Sequence, residues 1–318
     1  MRKLSFKIVS VLIGLLVTFI IIECAYRIKL RFFGNYEVFT KTKEFVRYSE
    51  NEKLLVELIP NASVEINKAL YNVNSLGYRD NEWNLKDTVK LKIGLMSDSV
   101  GFPYGLNQED GYEYISEQLL TKDSIPTDIY NFSLNGYNAH QYIEVLKKVD
   151  STKNLKLDYL IANITSNDNQ PTGTPSMLNW LDHPASKYQW IPSRLIKKFI
   201  NIHYKKNVHP KLYSFSYVKD YIDYLKEFQI KNQTTVFVLL IPSNTTNKGN
   251  NDFYMETKRY AEKNNLKTLY LKDEFTKISK VESLKEYYYT NDIMHLSKKG
   301  HKFVAKHLTT LLKNTIRH

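Results

Sequence analysis

The sequence predicts an α/β protein: a three-layer α/β/α sandwich around a mainly parallel five-stranded sheet, preceded by one N-terminal transmembrane helix. Three observations lead there. From about residue 88 onward, short apolar runs alternate with amphipathic ones, the pattern of strands joined by helices. One run, Thr235 to Pro242 (TVFVLLIP), is almost continuously apolar, as a parallel strand covered on both faces must be. Far ahead of both, Ile8 to Ile22 carries no charge.

The chain starts MRKLSFK, so Arg2, Lys3 and Lys7 precede the uncharged run. That run alone is short against the roughly 20 residues a helix needs to cross a bilayer. Extended through Glu23, Cys24, Ala25 and Tyr26 it is long enough, with Glu23 near the interface. A cleaved signal peptide shares the basic start and apolar centre but needs small residues at the cut. The following ECAYRIKLRFF has no such pattern, and bulky Ile22 with acidic Glu23 argues against lipid attachment at Cys24. The expectation for residues 1–28 is an uncleaved signal anchor with its amino terminus inside. The short basic start carries that orientation, because Arg27, Lys29 and Arg31 offset the charges before the span.

Residues 29–87 read as a membrane-proximal linker and N-terminal extension. They are polar, contain several tyrosines and include Asn74-Ser75-Leu76-Gly77-Tyr78-Arg79-Asp80. Strands are expected at Lys90–Met96, Asp128–Ser133, Leu157–Ile164 and Thr235–Pro242, with a weaker fifth at Thr268–Leu271. Helices fall between them. Val218, Tyr221, Ile222, Leu225 and Phe228 keep the 3.6-residue period, as do Phe303, Val304, His307, Leu308 and Leu311. Within the main domain, 88–318, residues 171–215 are too long for a simple crossover and read as an insertion over the cleft. Its Trp180, Tyr188 and Trp190 either contact substrate or pack the insertion onto the sheet.

Composition removes several function classes. Lys and Arg total 45 against 33 Asp and Glu, a net charge of +12. The lysines are scattered without a block of like charges, and no nucleic-acid motif appears. The basic surface is therefore expected to face anionic lipid or an anionic cell-surface polymer, not nucleic acid. Cys24 is the single cysteine, so the rest of the chain has neither a disulfide nor a cysteine metal site. His140, His183, His203 and His209 lack metal-ligand spacing, and no glycine-rich phosphate loop is present. No metal and no cofactor are expected.

Four short stretches carry chemistry. The first strand runs into Ser97-Asp98-Ser99-Val100-Gly101, which places a serine where open α/β sheets hold their ligands. Asp98 can form a local turn, and a helix after it can offer its N–H groups to a developing anion. Near the C-terminus, Asp292 and His295 are three residues apart. That spacing lets the carboxylate hold one imidazole nitrogen while the other faces a nucleophile. Gly136, after the second strand, can bring its N–H close to a ligand, and Asn167, after the third, can donate from its amide. Taken singly, each stretch also reads as ordinary loop, cap or turn chemistry.

In this order the four stretches, Ser97-Asp98-Ser99, Gly136, Thr165-Ser166-Asn167-Asp168 and Asp292-Ile293-Met294-His295, resemble the SGNH (GDSL-like) hydrolase family. The resemblance covers roughly residues 90–312, and the anchor and the Asn74–Asp80 stretch look like those of membrane-tethered members. It implies a flavodoxin-like sheet with the site at its carboxyl edge. Ser99 would be the nucleophile, His295 the general base and acid, and Asp292 its orienting carboxylate. The oxyanion hole would be formed by the Ser99 N–H, the Gly136 N–H and the Asn167 side chain. Two positions depart from the family pattern: Ser97 and Thr165 stand where it has glycine, adding a Cβ near the active edge.

The function expected from this is removal of an acyl group, acetyl among them, from an acylated cell-surface glycan or lipid by a membrane-held, extracytoplasmic catalytic domain. An O-acyltransferase using the same three residues, with a sugar hydroxyl replacing water, is the alternative within the same chemistry. A non-catalytic glycan-binding protein on the same fold is the alternative outside it.

Overall fold

The computed structural model describes residues 2–33, 36–87, 89–153, 155–170, 181, 214–244, 248–289 and 292–317. Helix α1 (Arg2–Phe33) contains a 24-residue stretch, Phe6–Lys29, with mean hydropathy 2.7. At 1.5 Å per residue it is about 36 Å long, enough to cross a hydrocarbon core. Its Phe, Ile, Leu and Val side chains are largely exposed, and Glu23 pairs with Arg27 one turn on at 2.6 Å.

Helix α2 (Tyr36–Phe45) leads into two antiparallel hairpins, β1 (Val46–Tyr48) with β2 (Val56–Leu58) and β3 (Ser63–Ile66) with β4 (Ala69–Asn72). Strands β3 and β4 alternate buried and exposed residues, as strands covered on one face do. Their inward residues join the same apolar core as the main sheet.

That sheet has five parallel strands: β5 (Leu91–Met96), β6 (Thr127–Asn131), β7 (Tyr159–Ile164), β8 (Thr235–Leu240) and β9 (Lys267–Tyr270), in the order β6-β5-β7-β8-β9. Counted within the sheet this is 2-1-3-4-5, the flavodoxin-like order. Successive residues serve opposite layers. Leu160, Ala162, Ile164, Val236, Val238 and Leu240 pack with α4 (Ala139–Ser151), α5 (Ser216–Asn232) and α6 (Lys248–Lys263). Ile161, Phe237 and Leu239 pack with α3 (Tyr112–Lys122), α7 (Lys272–Ser279) and α8 (Lys298–Ile316). A strand with apolar neighbours above and below has no polar face, which explains the continuous runs in the sequence.

All five expected strands are present, with small shifts at their ends. The second stops at Asn131, because the Asn131 side-chain oxygen accepts the Ser133 N–H at 2.9 Å and turns the chain out of the ladder. Gly94 sits in mid-strand β5, where a Cβ would lie 2.7 Å from a Phe132 ring carbon and 2.8 Å from Leu157 Cδ1. The expected insertion at 171–215 lies outside the described residues apart from Leu181, Ser214 and Phe215.

Candidate active site

The connection after β5 packs α3 on one face of the sheet, and α4, which leads into β7, packs on the other. The carboxyl ends of β5 and β7 therefore border the switch point at which open α/β sheets hold ligands. Ser99 follows β5, and Thr165 to Asp168 follow β7.

Asp98, fully buried, builds the turn that presents Ser99. Its Oδ1 accepts the Val100 N–H at 2.9 Å, and its backbone carbonyl accepts the Phe102 N–H at 3.0 Å. No regular helix follows Ser99 directly, contrary to the sequence expectation. Turns continue to Gly105, and the Gly101, Phe102 and Leu106 carbonyls are taken by side chains outside the segment.

His295 comes from the loop before α8. Its Nε2 lies 2.8 Å from Ser99 Oγ, and its Nδ1 lies 2.6 Å from Asp292 Oδ2. The other Asp292 oxygen accepts the backbone N–H groups of Met294 (2.7 Å) and His295 (2.9 Å). Burial pushes the Asp292 carboxyl up, but the hydrogen bond from His295 and the two backbone bonds outweigh it and hold the group well below the usual carboxylate range. An ionised carboxylate only accepts, so Nδ1 carries the proton and Nε2 offers a lone pair to the Ser99 O–H. The loop is anchored at both ends: the Tyr289 N–H donates to the His295 carbonyl, and the Asp292 N–H to the Tyr289 carbonyl, each at 3.0 Å. Ser297 caps α8 by accepting the Gly300 N–H.

The second histidine of this stretch has a different place. His301 is 1% exposed, accepts the Tyr112 N–H on Nδ1 at 3.1 Å, and is pushed down to about 3 by burial. It is a neutral core residue.

Asn167 is oriented by what surrounds it. Its Nδ2 donates to Asp98 Oδ2 at 3.1 Å, and its Oδ1 accepts the Thr165 hydroxyl at 2.5 Å. An amide nitrogen has two N–H bonds, so one remains beyond the Asp98 contact. Beneath it, Asp168 is fully buried, and burial with the neighbouring Asp98 charge pushes it well above its usual range. It accepts the Tyr142 hydroxyl at 2.8 Å and the Thr165 N–H at 2.7 Å. Gly136 has φ +84° in the turn that follows β6. Leu134, two residues before it, donates its N–H to the Ser97 carbonyl at 3.3 Å.

The two extra Cβ atoms do not line the cleft. Ser97 is fully buried, donating to Asn163 Oδ1 at 2.9 Å and accepting the Gly101 N–H at 3.1 Å. Thr165 is 1% exposed, with its hydroxyl between Asn167, Asp98 and Asp168. Both serve the hydrogen bonds under the site.

The structure thus brings Ser99, His295 and Asp292 into one hydrogen-bonded row and sets Asn167 against Asp98, beside that row. Trp180, Tyr188 and Trp190 lie outside the described residues. Sequence reasoning missed Tyr104, whose ring centroid is 5.1 Å from that of His295 and whose hydroxyl is pushed up to about 12 by burial, then by Tyr71 and Asp292. It also missed that Arg79 reaches the loop after Ser99, donating to the Phe102, Pro103 and Leu106 carbonyls, although the stretch containing it stood out. Among the described residues, no three His, Cys, Asp or Glu side chains gather as a metal set.

An open α/β sheet with a serine, histidine and aspartate in hydrogen-bond contact at its carboxyl edge is the class of structure that the SGNH resemblance implies. No protein-family model matches the chain, and no curated protein matches it in sequence. Solved structures are similar to it in fold. They include TesA, at 10% identity and TM-score 0.49, covering 70% of this chain and 98% of that one. The acetyl xylan esterase AlAXEase is similar at 14% identity and TM-score 0.47, covering 70% and 99%. A lipase/acylhydrolase from Enterococcus faecalis is similar at 12% identity and TM-score 0.45, covering 71% and 96%.

Proposed function

We propose that this chain is a serine-dependent esterase of the SGNH kind. It removes an acyl group, with acetyl as one candidate, from an acylated glycan or lipid at the cell surface. The observation that carries this reading is the unbroken row Ser99 Oγ, His295 Nε2, His295 Nδ1, Asp292 Oδ2, with contacts of 2.8 and 2.6 Å. Nucleophile, base and orienting group are all within hydrogen-bond reach.

In the first half-reaction Ser99 Oγ attacks the ester carbonyl while His295 Nε2 takes its proton, and Asp292 stabilises the imidazolium. The carbonyl oxygen becomes an oxyanion, held by the Ser99 N–H, the Gly136 N–H and the second Asn167 N–H. Collapse breaks the bond to the alcohol, which leaves with the proton from His295, and the acyl group stays on Ser99. Water then attacks that acyl-enzyme with His295 as base, releasing the acid and restoring the serine. The apolar α1 supports a domain held at a membrane, and the short basic start, placed inside, puts that domain on the extracytoplasmic side, with residues 29–87 between anchor and catalytic domain.

The test is intact mass after fluorophosphonate treatment of the full chain in detergent micelles, beside Ser99→Ala and His295→Ala. One adduct on the parent, absent from both folded variants, is expected. No adduct on a folded parent would sink the esterase reading.

A further inference from the structure

The segment between the anchor and the sheet domain is tied to that domain through Arg79, among other polar contacts. The side chain is 2% exposed, and among the described residues no carboxylate forms an ion pair with it. Its guanidinium meets backbone carbonyls instead. Nη1 donates to Phe102 (2.5 Å) and Pro103 (3.1 Å), and Nη2 to Leu106 (2.5 Å) and Leu70 (2.9 Å). The group lies 3.9 Å over the Tyr71 ring and 5.0 Å from that of Phe102. Burial pulls it down only to about 10, so it is charged at neutral pH.

Three of those four carbonyls belong to Val100–Leu106, the loop that leaves Ser99. Two further ties also reach outside it. Asn131 Nδ2 donates to the Gly101 carbonyl at 2.8 Å, and the Gly105 N–H donates to the Tyr71 hydroxyl at 2.8 Å. In mid-loop, the Tyr104 N–H donates to the Ser99 carbonyl at 3.4 Å, and its ring packs beside His295. A buried cation loses several kcal/mol of hydration, and packing alone would be met by an apolar side chain. A planar fork with donors on two nitrogens meets all four carbonyls in fixed directions; an ammonium has only three donors, all on one nitrogen at the end of a flexible stem.

We infer that Arg79 is a positioning residue for the nucleophile. It fixes the loop Val100–Leu106, and with it the direction of Ser99 Oγ and the place of Tyr104 against His295. This rests on the reading of Ser99 as nucleophile. It makes the N-terminal extension part of the catalytic unit and not merely a spacer.

The test compares Arg79→Lys and Arg79→Met with the parent as full chains in detergent micelles. Three quantities are measured: melting midpoint, kcat and KM for p-nitrophenyl acetate, and amide hydrogen exchange by peptide. Small displacements of reacting groups lower the rate by about 10- to 100-fold, so kcat should fall by that factor in folded Arg79→Lys. KM should stay within about twofold, since the group touches no substrate. Exchange should quicken across 100–106 and not across β7. A folded variant with parental kcat, or with exchange quickened equally in β7, would overturn the inference. If the folded parent itself takes no fluorophosphonate, the nucleophile reading fails and the inference about Ser99 falls with it. In that case, faster exchange confined to 100–106 would still establish the clamp.

Discussion

Replacing Asp292 with asparagine changes one oxygen to a nitrogen and leaves the size of the side chain alone. Its outcome depends on which oxygen is which. Oδ1 accepts the N–H groups of Met294 and His295 at 2.7 and 2.9 Å, while Oδ2 faces Nδ1 of His295 at 2.6 Å. Asparagine has a single carbonyl oxygen, and two backbone donors claim it. Its amide nitrogen, a donor, must then face Nδ1. The imidazole can accommodate that only by carrying its proton on Nε2, which puts an N–H opposite Ser99 where a lone pair is needed. The wrong tautomer in a serine–histidine pair lowers kcat by about 10⁴, about 5.5 kcal/mol of barrier. The fold should lose far less, because both backbone bonds survive. The side chain is 31% exposed, so the lost charge is partly replaced by water. The assay is kcat for p-nitrophenyl acetate beside the melting midpoint. A folded Asp292→Asn within about tenfold of the parental kcat would refute the reasoning, because a tautomer switch admits no such residual activity. Stability gives a second reading. A carboxyl held low in the folded state stabilises above its unfolded value of about 3.9 and loses that contribution as pH falls. The parent should therefore lose more stability than the variant below about pH 4.

Three further outcomes are expected. Asn167→Ala removes a proposed oxyanion donor and should lower kcat by about 10²–10³ with little change in KM; unchanged kcat in the folded variant would remove Asn167 from the hole. Glu113, fully buried, is pushed up to about 8, chiefly by burial, so between about pH 4.5 and 8 the folded state keeps a proton that the unfolded chain has lost. Stability should fall as pH rises through that window by up to about 1.4 kcal/mol per unit, and denaturant titrations of Glu113→Gln should show a flatter slope. Gly94→Ala places a Cβ 2.7 Å from Phe132 and 2.8 Å from Leu157 and should destabilise by about 1–3 kcal/mol, read from the urea midpoint; an unchanged midpoint would show that both neighbours yield freely.

The sequence by itself determined the layer architecture and the strands, because a strand buried on two faces has no polar alternation to disguise it. Val236 to Leu240 could be read as such from composition alone. It also brought Asp292 and His295 together, since a carboxylate three residues before a histidine reaches it through local turn geometry. Ser99 was legible as a serine at the end of a strand. What the local pattern does not contain is the distance across 196 residues that puts Ser99 Oγ 2.8 Å from His295 Nε2. That contact exists because β5 lies inside the sheet, between β6 and β7, and α8 packs on one of the sheet's faces. The same holds for Arg79, which reads as an ordinary surface cation in a polar stretch. Only when the extension folds onto the sheet do the carbonyls of Phe102, Pro103 and Leu106 converge on it. Ser97 and Thr165 likewise read only as an added Cβ near the active edge, and their burial under the site makes them supports. Periodicity and local spacing survive in a linear sequence because they repeat or act within a turn. Direction and partnership between distant side chains do not, because packing of the whole chain sets them.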